Sequence, residues 1–315
     1  MLTALRAALL RALWFLATLA GAVLLVQLLL HAAPGDPIDL LPNGAELRPR
    51  LEVEWGLDRP IGERVLRYLT AAAAGDLGTS LVVRPGTPVR ELVGAAAWRS
   101  AGTLGPALLL GVGLSTALAL WTRGRRPVAR LVLQLATTAP VFLLAYLLVL
   151  GLNEATWALV QAGRLDRPDW FALPDQPSAV RDALAISVLA LGSGALGETH
   201  AALEEAVERI LRSPFVTAAR ARGGGVAAVV LRNLVPPLLA VVAQRVAPLL
   251  GGLVIAEKVL LMNGAGALLW QACLQRDHPL AMGLGLAGAL VVAGAQLLTD
   301  LARLALDPRL RRGEP

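Results

Sequence analysis

Apolar residues in this chain fall in long blocks rather than in the short alternations of a soluble domain. Six runs stand out, at residues 12–35, 100–122, 131–153, 183–197, 233–256 and 278–299. A helix needs about 20 mostly apolar residues to cross a bilayer. Five of the runs meet that length, and the only charge inside them is Arg245, in the fifth. The fourth is short and reaches span length only by extending as helix toward Leu203. The pattern predicts an all-α integral membrane protein with six transmembrane helices. The first run follows Arg6 and Arg11 and ends near His31-Ala32-Ala33, as a signal peptide would. Its length exceeds the roughly 7–15 residues of a signal core, so it reads as a retained span.

Between the runs lie polar segments. Residues 36–99 are too polar to span. Within them, residues 46–55 and 61–74 read as two short amphipathic helices, and Trp55, Tyr68 and Trp98 suit a membrane interface. Residues 153–181 read as a second outer loop. The organisation predicted is an N-terminal cytoplasmic end with the first span (1–35), an extracytoplasmic cap (36–99), a transmembrane core (100–306) holding a functional loop at 198–237, and a cytoplasmic tail (307–315).

Arginine placement sets the orientation. Cytoplasmic loops carry an excess of Lys and Arg. With the N-terminus inside, 14 of the 29 cations sit on four short cytoplasmic segments: Arg6 and Arg11; Arg123, Arg125, Arg126 and Arg130; Arg209, Arg212, Arg220 and Arg222; and Arg303, Arg309, Arg311 and Arg312. In the outer segment 36–99, nine acids outnumber eight arginines. An even number of spans returns both termini to the cytoplasm. The net charge of +6 is therefore topological, and nucleic-acid binding is not expected.

Composition agrees. Hydrophobic residues make up 56% of the chain and charged residues 17%, against about 25% charged in soluble domains. This excludes a soluble enzyme, a disordered chain and a disulfide scaffold. Cys273 is the only cysteine, so neither an internal disulfide nor a thiolate metal cluster can form. Lys258, the sole lysine, lacks the glycine frame of a phosphate-binding loop. No nucleophile–base–acid set is evident. His200, close to Glu198, reads as part of a solvated helix end.

The loop from Glu198 to Pro237 carries the most information. Glu204, Glu205 and Glu208 read as a helical surface, with Ile210, Leu211 and Phe215 supplying apolar contacts. A short helix is then marked at both ends. Ser213 suits the N-cap, and Pro214 suits the first helical position, where its missing N–H costs nothing. Arg220 and Arg222 sit in the last turn, where the helix dipole favours cations. Gly223 suits the left-handed stop. Val216, Ala218, Ala219 and Ala221 are expected as a small apolar face exposed in the cytosol, suited to docking in a groove of another protein.

Here a family resemblance enters. Thr217-Ala218-Ala219-Arg220-Ala221-Arg222-Gly223 resembles the EAA loop of ABC importer permeases, in which a proline follows thirteen residues beyond the glycine; Pro236 holds that place. The wider run from Leu211 to Gly223 is similar to the dipeptide/oligopeptide/nickel branch. So are Ala33-Pro34-Gly35-Asp36-Pro37, Gly56-Leu57-Asp58-Arg59-Pro60, Gly75-Asp76-Leu77-Gly78-Thr79-Ser80, Leu231-Arg232-Asn233, Arg276-Asp277-His278-Pro279 and Leu306-Asp307-Pro308-Arg309. The chain departs from the branch in Thr217, which replaces a Glu, in Gly223-Gly224-Gly225, and in a segment after Gly223 that is shorter by about four residues.

The resemblance implies the type I ABC importer permease fold in the inner (cytoplasmic) membrane. It implies a second homologous permease, two ATP-binding cassette subunits and an extracytoplasmic substrate-binding protein as partners. It implies that residues 213–223 (Ser213, Pro214, Phe215, Val216, Thr217, Ala218, Ala219, Arg220, Ala221, Arg222 and Gly223) form the coupling helix that docks on an ATPase. No cofactor or metal is expected on this chain, with ATP and Mg²⁺ held by the ATPase partners. The chain would transport rather than catalyse, carrying peptides by default, with nickel, metal chelates or haem as alternatives.

A stand-alone carrier or channel is the competing class. It would need its own ion-coupling acids or repeated halves, and neither is evident. Three residues are candidates for the translocation path. Gln244 and Arg245 either line it or, in the case of Arg245, form an internal ion pair or touch the partner permease. Glu257 either gates the outer mouth or sits among headgroups. Pro236 and Pro237 are expected to kink the start of the fifth span, Gly251-Gly252 to mark close helix packing, and Asp36 and Asp76 to cap helix starts.

Overall fold

The computed structural model describes residues 2–32, 59–122, 138–164, 179–192 and 195–306, with isolated positions at 46, 48, 49, 131 and 166. Its described helices are α1 (Leu2–Ala32), α2 (Ile61–Ala73), α3 (Val89–Thr122), α4 (Val141–Gln161), α5 (Ala179–Leu191), α6 (Ala195–Leu211), α7 (Pro214–Ala221), α8 (Val226–Val259), α9 (Ala265–Leu274) and α10 (His278–Leu306). Among the described residues the only β pairing is a single bridge, Thr79 to Pro88. Five helices (within α1, α3, α4, α8 and α10) are long and apolar enough to cross a membrane, and α5 with α6, bent by 51°, makes a sixth if counted as one span. Their rows of exposed Leu and Trp suit lipid, which offers backbone amides no partners and so favours helices.

Two boundaries differ from expectation. The third span begins at Val141 rather than Leu131, because Pro140 occupies the N-cap, and it runs through Asn153 and Glu154 to Gln161. The second outer loop is correspondingly shorter. The fourth span is two helices rather than one. Residues 47, 50–58 and 123–130 lie outside the described residues, as do Asp36, Trp55 and the tail 307–315. The predicted helix at 61–74 is present as α2.

The chain divides into two compact units, Met1–Ser100 with Gly264–Leu297, and Ala101–Asn263 with Leu298–Pro315. In the first, α2 lays Val65 against Leu19 and Val23 of α1 and Leu286 and Ala293 of α10. Glu63, Arg67 and Thr70 remain exposed, so α2 is amphipathic as its sequence required, although Leu66 is exposed as well. Gly75, at φ 83°, ends α2, with Asp76 N–H reaching back to the Ala71 carbonyl at 2.9 Å. Asp76 does not cap a helix start: its Oδ1 accepts from Gly78 N–H at 2.9 Å, a local turn favoured by the short Asp side chain. A second core joins Val89, Leu92 and Val93 of α3 to Ala272 of α9 and to Leu280, Ala281 and Leu284 of α10.

The same unit contains a polar knot. The fully buried Asp277 carboxylate accepts the Ser80 hydroxyl at 2.5 Å. It also accepts the N–H groups of Leu81, Val82 and Val83 at 3.0–3.1 Å. Its other oxygen accepts from Leu280 N–H at 3.3 Å, in the first turn of α10. A buried charge is tolerable only when hydrogen-bonded in this way. Two of the sequence motifs, 75–80 and 276–279, therefore meet at one site.

In the second unit, Val141 and Ala145 of α4, Val188 and Leu189 of α5, and Leu249, Leu253 and Ala256 of α8 form the core with Ala107 of α3. Gly252 permits this contact. A Cβ there would lie 3.1 Å from Leu189 Cδ2 and 3.4 Å from Val141 Cγ2. Gly251, by contrast, is exposed. Pro236, Pro237 and Pro248 all lie inside α8, so the fifth span continues through them as helix. Helix α8 has 34 residues, about 51 Å at 1.5 Å per residue. That exceeds the roughly 30 Å hydrocarbon layer, so its ends project beyond the layer.

Candidate functional site

Helix α7 is positioned by the helices on either side of it. On α6, Ala206 and Val207 pack against Val230 and Leu234 of α8, flanked by Ile210 and Leu211. The outer side of α6 carries two ion pairs one turn apart, Arg209 to Glu205 at 2.6 Å and Arg212 to Glu208 at 3.2 Å. Glu204 does not share that surface. It is buried, with His200 Nε2 4.0 Å from its Oε2. His200 is itself fully buried, so it is not the solvated helix end expected from its sequence context. The four-residue spacing of His200 and Glu204 on one helix face was the available signal.

Helix α7 runs from Pro214 to Ala221, with Ser213 in extended backbone at the N-cap. The Ser213 carbonyl accepts from Val216 N–H at 3.1 Å and Thr217 N–H at 3.3 Å. Its hydroxyl, however, makes no cap bond and donates instead to the Ile210 carbonyl at 2.5 Å. Ser213 thus ties α7 to the end of α6. At the other end, Gly223 adopts φ 69°. Gly223 N–H bonds the Arg220 carbonyl at 3.0 Å, and Gly224 N–H bonds the Ala219 carbonyl at 2.9 Å. This is the Schellman pair. Gly225 then caps α8, whose first residue is Val226, so the short segment after Gly223 is a tight turn.

The exposed face of α7 differs from the predicted one. Val216 and Ala219 are buried, and α7 packs on α8 and α6. The residues left outside are Pro214, Phe215, Thr217, Ala218, Arg220 and Ala221, followed by Arg222. A helix this short, lying on two others, must turn one pair of apolar residues inward, and Val216 and Ala219 are one turn apart. Phe215, 46% exposed, shares the outward side with Ala218 and Arg222 at helical spacing. A large exposed aromatic ring on a side that ends in an exposed arginine is the surface a partner groove would cover.

The three path candidates separate. Gln244 is exposed. Arg245 Nη2 donates to Glu198 Oε2 at 2.7 Å. This internal pair joins α8 to the first turn of α6. It offsets part of the cost of a cation at mid-span, about 2.5–3.5 kcal/mol on insertion scales. Arg245 also lines a crevice with Thr199 and the apolar Leu108, Val112, Leu189 and Leu249. Glu257 is buried, not placed among headgroups, and its carbonyl accepts Met262 N–H at 2.8 Å in the turn that ends α8. Close to that turn, buried Arg181 of α5 donates to the Leu261 carbonyl at 3.2 Å. Nothing in the sequence marked Arg181, which lies at the edge of a polar loop.

Comparison with known proteins places this architecture. Residues 108–312 match the family described as binding-protein-dependent transport system inner membrane component. A Brucella ovis protein, provisionally named a peptide permease, is 32% identical over 94% of this chain and 96% of its own length. A glutathione transport system permease protein of Salmonella paratyphi A is 29% identical over 96% of this chain and 97% of its own. A di/tripeptide transport system permease protein of Pseudomonas aeruginosa is 29% identical over 93% and 95%. Membership of the family implies ATP-binding and substrate-binding partners. The six apolar runs, the α7 loop between the fourth and fifth spans and these matches together show that the chain belongs to the binding-protein-dependent transport system inner membrane component family, as a multi-pass permease subunit of an ABC importer in the inner membrane.

Proposed function

We propose that this chain forms half of the translocation path of an importer for short peptides, and that α7 is the segment held by an ATP-binding subunit. The observation that carries the reading is the two-sided build of α7. Val216 and Ala219 anchor it from within, Gly223 stops it, and Phe215, Ala218 and Arg222 face outward. A segment so anchored moves with α8 and α6 when its outer face is pulled. The partner's ATP cycle can thereby bias the path, provided α7 is held differently in the two states of the ATPase.

In this reading the chain pairs with a second homologous permease. Two ATP-binding subunits bind below, holding ATP and Mg²⁺, and an extracytoplasmic binding protein delivers the solute above. ATP hydrolysis then belongs to the ATP-binding subunits, and this chain's part is to move the solute. Peptides are favoured because the relatives are named for peptide, glutathione and di/tripeptide transport, and their solutes share amide and carboxylate groups.

The test is reconstitution of the chain with its partner permease, ATP-binding subunits and binding protein in liposomes, with a Phe215→Cys variant for cross-linking to the ATP-binding subunit. ATP-dependent uptake of a labelled dipeptide and a Phe215→Cys cross-link are expected. Uptake by this chain alone without ATP would overturn the reading in favour of a stand-alone carrier.

A further inference from the structure

The Arg245–Glu198 pair is built unevenly. The Arg245 side chain is 14% exposed, whereas that of Glu198 is 70% exposed. A bridge whose only role was to neutralise a mid-span cation would shield both partners. An exposed carboxylate at the bend between α5 and α6 is not stable against hydrocarbon, so the open side of Glu198 faces water or protein. Among the described residues, Arg245 makes one hydrogen bond, from Nη2, and a guanidinium has five N–H donors in a planar fork. Arg245 also lines a narrow crevice with Thr199 and apolar residues. An ion pair open to solvent on its carboxylate side is screened and weakened, so another carboxylate can take the place of Glu198. A fork-like bidentate contact would make the newcomer the better partner.

We propose that Arg245 is a specificity-determining residue of the path, which exchanges the Glu198 carboxylate for a carboxylate of the passing solute. The chain thereby favours solutes with a free carboxylate, such as a peptide C-terminus. Glu198 acts as the resting counter-ion, keeping the guanidinium paired when the path is empty and returning when the solute leaves. This rests on the transport reading above but concerns a different site from α7.

Two measurements test it. In the reconstituted importer, Arg245→Gln is expected to lower dipeptide uptake at least tenfold, with cross-linking of α7 to the ATPase unchanged, and Glu198→Gln, which removes the resting counter-ion but leaves the guanidinium, to lower uptake several-fold less than Arg245→Gln does. The double exchange Arg245→Glu with Glu198→Arg is expected to restore thermal stability but not uptake. Equal loss in both single variants with full rescue by the exchange would overturn the proposal, leaving an internal structural bridge. Weaker association of the two permeases in both single variants would overturn it in favour of a subunit contact.

The second measurement needs no transport. The purified permease pair is melted with N-acetyl-Ala-Ala or with its C-terminal amide at matched ionic strength. The acid alone should raise the melting temperature, in wild type and in Glu198→Gln but not in Arg245→Gln. Equal shifts from acid and amide would sink the carboxylate site. An importer that moves no dipeptide, with the acid-specific shift intact, would remove the peptide reading and leave the site standing.

Discussion

A carboxylate placed on α7 should have opposite consequences at two adjacent positions. Ala218 is exposed and Ala219 is buried. In the isolated chain, Ala218→Glu adds a solvated charge, and surface changes of this kind stay within about 0.5 kcal/mol. Covered by a partner, the same carboxylate would be desolvated, at about 2–5 kcal/mol, of which an i,i+4 pair with Arg222 returns only about 0.3–0.5 kcal/mol. At about 1.4 kcal/mol per tenfold, affinity for the ATP-binding subunit falls by about tenfold to about 2,000-fold. Ala219→Glu instead drives an unpaired charge into the contact of α7 with α8 and α6, at about 3–5 kcal/mol of folding stability.

The assay pairs the amount and melting temperature of the purified chain with its capture by the tagged ATP-binding subunit. Ala218→Glu should melt as wild type does and fail to be captured. Ala219→Glu should lower both yield and melting temperature. Capture of Ala218→Glu at wild-type affinity would refute the assignment of α7 as the docking segment, and wild-type stability of Ala219→Glu would refute its inward packing.

Other expectations follow from the cores. Asp277→Asn should lower stability by about 2–3 kcal/mol, since charge-assisted bonds to four backbone amides weaken; a detergent melting series on Asp277→Asn and Ser80→Ala would measure it, with the smaller loss for serine. Gly283→Ala would set a Cβ 2.5 Å from Val89 Cγ1, and overpacking of this kind costs about 1–3 kcal/mol, read by the same melt. Among the described residues the buried Tyr68 hydroxyl on α2 has no hydrogen-bond partner, and burial pushes its phenol above the ordinary 10.0. A pKa raised in the folded state means stability is intact below that ordinary value and falls as pH rises above it. Tyr68→Phe should therefore hold or improve stability at neutral pH and flatten the alkaline loss, as melts across pH would show.

Much of this protein was legible from its sequence because lipid imposes a local rule. A spanning segment must satisfy its own backbone, so apolar length alone predicts helices. The ends of α7 were legible for the same local reason. Pro214 fixes a starting φ and Gly223 accepts a left-handed one, whatever lies nearby. Local rules failed where two equal choices met. The apolar run around Pro140 continues on both sides of the proline, and only the structure places the start of α4 after it.

What the tertiary structure alone decided are the pairings and the facing. Val216 and Ala219 turn inward because α8 and α6 lie beneath them; on an eight-residue helix with apolar residues on several sides, nothing local chooses the face. Glu198 and Arg245 meet although 47 residues separate them, and Asp277 holds Ser80 across 197. Composition can show that a mid-span arginine or a loop aspartate needs a partner. Only the packing of helices far apart in sequence selects which carboxylate or which amides supply it, because contact energy falls off within a few ångströms while sequence distance carries no such limit.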